Sequence, residues 1–63
     1  MKLGFENYFE FVYENYTDEF YENQGWFAGS ELERKWIATL YTKEICPIQS
    51  ARIIERTFKL YKL

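Results

Sequence analysis

The sequence predicts an all-α fold, a small three-helix bundle, and three observations carry that expectation. Apolar side chains recur at three- and four-residue spacing in three separate stretches. Helix punctuation stands between those stretches: Asn23-Gln24-Gly25, then Ser30, then Pro47. No stretch keeps the alternation of a strand, because Phe9-Glu10-Phe11 begins one and Val12-Tyr13 ends it. The 63 residues make one domain over 1–63, with helices expected at about 5–23, 31–43 and 47–61.

At 100° per residue, Phe5, Tyr8, Phe9, Val12, Tyr13, Tyr16 and Phe20 share an arc of about 140°. Glu6, Glu10, Glu14, Thr17 and Asp18 take the opposite side. Phe11 falls outside the arc, among Asn7, Glu14, Asn15 and Asp18. Gly25 suits the left-handed residue after a helix end, which would fold Trp26 back on Tyr21. Trp26 and Phe27 are expected to plug the end of the core.

Ser30-Glu31-Leu32-Glu33 has capping-box spacing, with Glu33 expected to reach back to the Ser30 amide. Leu32, Trp36, Ile37, Leu40 and Tyr41 form the apolar face of the second helix. Pro47 lacks an amide hydrogen and so fits the first turn of the third. There Ala51, Ile53, Ile54, Thr57, Phe58, Leu60 and Tyr61 share one side, and Arg52, Arg56 and Lys59 line the other. Glu55 and Lys59 stand four apart, the spacing of a surface ion pair.

Composition narrows the function. Fourteen residues are aromatic, ten of them between Phe5 and Phe27. A chain this short buries only roughly 60% of its unfolded surface. Some rings are therefore expected at the surface, where exposed apolar area marks a docking site. Self-association into a dimer would also support a core worth only ~3–5 kcal/mol. Residues 1–33 hold eight acids against Lys2 alone, a net of −7; residues 34–63 hold seven bases against Glu44 and Glu55, a net of +5. An acidic first segment packed beside a basic last one is the simplest use of that split.

No catalytic signature is present. The chain has no histidine, no cysteine pair and no glycine-rich loop, so neither a metal nor a cofactor is expected. Glu6, Glu10 and Glu14 stand at i, i+4 spacing, but acid–base work needs an enclosing cleft, and a solvated stripe has none. Cys46, just before Pro47, sits where a helix N-terminus could lower a thiol's pKa, yet no other part of a reactive site accompanies it. The start, Met1-Lys2-Leu3-Gly4-Phe5-Glu6, lacks the apolar core of a signal peptide, and no run approaches the ~20 residues of a membrane span. A cytoplasmic protein is expected.

The expected function is a non-enzymatic protein-interaction module, a regulator or inhibitor. Its contact residues would be Tyr8, Glu10, Phe11, Tyr13, Glu14 and Asp18, because aromatic side chains dominate interface energies. A ladder of carboxylates beside rings could imitate nucleic acid in the basic groove of a nucleic-acid-handling enzyme. Small inhibitors from phages and mobile elements are often built so.

Ala38, Leu40 and Tyr41, followed by Ala51 and Ile54, loosely resemble the first two helices of the helix-turn-helix in resolvases and transposases. The likeness covers about 20 residues. Glu44 stands where that family carries its turn glycine, and such folds need a further helix for the major groove. The resemblance implies a DNA-binding regulator as the alternative, with Lys35, Arg52, Arg56, Lys59 and Lys62 on phosphates.

Overall fold

The computed structural model describes residues 3–62, the side chain of Lys62 excepted. These residues form α1 (Phe5–Glu14), α2 (Asp18–Asn23), a single 3-10 turn (Gly25–Phe27), α3 (Glu31–Thr42) and α4 (Pro47–Lys62). The fold is all-α, with no strand among the described residues. The expected helix over 5–23 is two helices.

The break at Asn15–Thr17 has local and distant causes. The Asn15 side-chain amide donates to the Phe11 carbonyl at 2.8 Å, closing α1. Thr17 is extended, and its hydroxyl accepts the Phe20 amide at 3.2 Å as the N-cap of α2. Asp18 and Glu19 then place negative charge in the first turn of α2. From α4, Glu55 accepts the freed Thr17 amide at 2.6 Å, and Arg52 donates to the Asn15 carbonyl at 2.9 Å.

Contacts in order along the helices fix their directions. Tyr8 meets Ile45 and Ser50, Asn15 meets Arg52, and Phe20 meets Phe58, so α1 runs parallel to α4. Phe5 meets Tyr41 and Tyr16 meets Glu33, so α3 is antiparallel to both. The core between them holds Tyr8, Val12, Tyr16, Phe20, Phe27, Ile37, Ala51, Ile54 and Phe58. Phe27 plugs one end against Trp36 and Phe58, with ring centroids 4.9 and 4.5 Å away. Trp26 does not share that role and is 58% exposed. It lies on Phe58 and Tyr61, whereas Tyr21 turns back to Tyr13 and donates its hydroxyl to the Tyr13 carbonyl.

The joint between α3 and α4 is a Schellman motif. The Glu44 amide donates to Tyr41 at 3.0 Å and the Ile45 amide to Leu40 at 3.1 Å, with Glu44 left-handed at φ 58°. A glutamate therefore fills a backbone conformation that glycine takes at lower cost. The Cys46 carbonyl accepts the Ser50 amide and so begins α4, with Pro47 at its first position.

Candidate interaction surface

The six residues expected to form one contact face do not do so. Tyr8 is only 4% exposed. Its hydroxyl donates to the Ile45 carbonyl at 2.6 Å and shares a short hydrogen bond with Ser50. Burial pushes that hydroxyl's pKa above its ordinary value. Tyr8 thus joins α1 to the start of α4 and offers no ring to a partner. Its place in the apolar arc was visible in the sequence; the carbonyl and hydroxyl that satisfy its buried O–H were not.

Phe11 and Tyr13 do remain at the surface, 45% and 38% exposed. About 160° around α1 separates them. Phe11 borders α4, on the same side as Asn15 and its bond from Arg52. Tyr13 borders the other edge, stacked edge-on with Tyr16 and Tyr21. Glu10 and Glu14 form the ridge between them, and Asp18 continues the acidic line past the break. None of these three carboxylates has an ion pair among the described residues.

The acidic first segment does pack beside the basic last one, α1 against α4, but among the described residues only Glu6–Arg34 joins the two segments by an ion pair. The two salt bridges among the described residues are Glu6–Arg34, at 2.7 Å between α1 and α3, and Arg52–Glu55, at 3.1 Å within α4. Glu55 accordingly pairs with Arg52 and not with Lys59. Arg34 also lies over the rings of Phe5 and Phe9, at 5.3 and 5.5 Å. No ion pair joins the carboxylates of α1 and α2 to Arg56 or Lys59.

An open groove of about 850 Å³ separates α2 from α4. Arg52, Arg56 and Lys59 line one wall, Thr17, Glu19 and Asn23 the other, with Phe20 and Phe58 between. The structure thus brings three of the five proposed phosphate contacts together. Lys35 lies on α3, away from that lining, and the Lys62 side chain lies outside the described residues. Glu19 and Glu55 share the groove with the cations, so its charge is mixed. Helix α4 runs unbroken through the remaining described residues.

Glu33 was expected to be a helix cap, and its burial was not foreseen. It is 0% exposed. One carboxyl oxygen accepts the Gly29 amide at 2.9 Å, in place of the expected Ser30 amide, while Ser30 accepts the Glu33 amide at 3.1 Å. The other accepts the Tyr16 hydroxyl at 3.1 Å. The Ser30 amide is already committed to the Phe27 carbonyl, which explains the shift of one residue. Burial and then the neighbouring Glu33 push the Tyr16 hydroxyl's pKa far up.

Two further exposed apolar groups were missed. Ile48, 56% exposed, follows Pro47 at about 90° from the buried side of α4. Ile53, Leu60 and Tyr61, expected on the apolar side of α4, are exposed instead, Tyr61 beside Trp26. Ile48 was legible in principle, as an apolar residue outside the helical arc. Cys46 is exposed and lines a shallow pocket of about 410 Å³ with Tyr8, Tyr41 and Glu44. Among the described residues no three metal-ligating side chains converge, and no helix is long and apolar enough to cross a membrane. No protein-family model matches the chain, and neither a curated protein nor a solved structure matches it.

Proposed function

We propose that this chain is a non-enzymatic protein-interaction module, a cytoplasmic regulator or inhibitor that docks through the outer side of α1. Its scaffold is a three-helix bundle in which α1 and α2 together form one bent arm. The observation that carries this reading is Phe11, half-exposed among carboxylates that have no ion pair among the described residues. Aromatic side chains supply much of the energy of protein interfaces, so Phe11 beside these carboxylates is the anchor a partner would cover. The straddled ridge suits insertion into a groove, with cationic groups for Glu10 and Glu14 and apolar walls for Phe11 and Tyr13.

The test is affinity capture from lysate with the wild type, Phe11→Ala and Glu14→Lys side by side. Both variants should keep their helical circular dichroism and lose the captured protein. An unchanged capture pattern in both variants refutes the reading. Titration with duplex DNA separates it from the alternative, because a phosphate contact by Arg52, Arg56 and Lys59 would show affinity falling steeply with salt.

A further inference from the structure

We infer that the surface shared by α1 and α4 is the interface of a symmetric dimer, with a second copy of this chain as its occupant. The inference rests on the reading of α1 as a docking surface and names what covers it. Three observations lead there.

The first is placement. Because α1 and α4 run parallel, with Tyr8 level with Ile45 and Asn15 level with Arg52, Phe11 falls level with Ile48. The seam between the two helices therefore carries two exposed apolar side chains, level with the start of α4. The second is charge. On one flank of the seam stand Glu14 and, further along, Glu19; on the other stand Arg52, Arg56 and Lys59. No ion pair crosses it among the described residues. Arg52 pairs with Glu55 on its own helix, so Arg56 and Lys59 are the cations that the acidic flank leaves uncompensated.

The third is symmetry. A two-fold axis parallel to the helices lays α1 of one copy against α4 of the other at the same level. Glu14 then faces Arg52 of the second copy, Glu19 faces its Arg56, and the Phe11 and Ile48 side chains meet near the axis. A two-fold axis across the helices would instead set acid on acid. The charge pattern selects one of the two arrangements.

Sedimentation equilibrium of the pure protein should show the 7.8 kDa mass doubling with concentration, and less so at high salt. Two charge variants sharpen the test. Glu19→Lys sets a lysine against Arg56 of the second copy, and Arg56→Glu sets a glutamate against its Glu19. Each alone should be monomeric and helical by circular dichroism, whereas an equimolar mixture should form a heterodimer. Phe11→Ala should weaken the wild-type dimer at least ~10-fold, the loss of one central anchor. A wild type that stays monomeric overturns the proposal, as do folded charge variants that self-associate like the wild type or fail to pair when mixed. If the pure protein is monomeric while capture still depends on Phe11, the second copy is refuted and the docking reading stands.

Discussion

The α3–α4 hairpin and the α1–α2 arm hold their shapes by different means. In the hairpin, each boundary is set by residues within a few positions: Ser30 and Glu33 at the start, the Glu44 turn, then Cys46 and Pro47. In the arm, the break is fastened from outside. Thr17 gives its amide to Glu55, Asn15 its carbonyl to Arg52, and Tyr16 its hydroxyl to Glu33. Damage to the hairpin's joints should therefore stay local, whereas damage to the arm's fastenings should loosen the whole molecule.

Tyr16→Phe tests the arm at its most buried fastening. It leaves a carboxyl oxygen of Glu33 without its donor inside the core, at a cost of ~1–3 kcal/mol. Urea denaturation at neutral pH measures it. The pH dependence gives a second, independent check. The folded-state pKa of Tyr16 is raised, by burial and then by Glu33, above the unfolded value near ~10. Its contribution is thus complete below pH ~10 and is lost as pH climbs past that value, where only the unfolded chain readily gives up the proton. The gap between wild type and Tyr16→Phe should narrow in that alkaline range. Equal stability at neutral pH would show that the buried bond contributes nothing.

Much of this division was readable from residue order. Ser30, Pro47 and Gly25 act on their own backbone, so the turns they make need no knowledge of the rest of the chain. The break at Thr17 was half-legible: Thr17-Asp18-Glu19 is a helix start, but it lies within an unbroken apolar rhythm from Phe5 to Phe20. What tips the balance is Glu55, thirty-eight residues away. Tyr8 and Phe11 show the same limit from opposite sides. Phe11 lay off the apolar arc and is exposed, as its position implied. Tyr8 lay on the arc, and only the arrival of Ile45 and Ser50 shows that its hydroxyl can be buried with it.

Thr17→Ala is the next probe of the arm, aimed at the local half of the break. Removing the N-cap hydroxyl should cost ~1 kcal/mol, with the Glu55 bond to the residue 17 amide still available. A loss well above ~2 kcal/mol would mean that the local cap, and not α4, holds the arm bent.

Glu44→Gly is the smallest expected effect and the only one in the stabilising direction. At φ 58° the Glu44 Cβ crowds its own carbonyl, a strain of roughly 1–2 kcal/mol that glycine does not have. Glycine in turn loses more backbone freedom on folding, by roughly 0.5–1 kcal/mol. The balance favours the variant by roughly 0.5 kcal/mol, read as a small rise in the urea midpoint with an unchanged slope. The Schellman bonds use only backbone groups, so they survive the substitution. A fall in stability would show that the Glu44 side chain holds something in the shallow pocket it shares with Tyr8 and Cys46, and the joint would no longer be purely local.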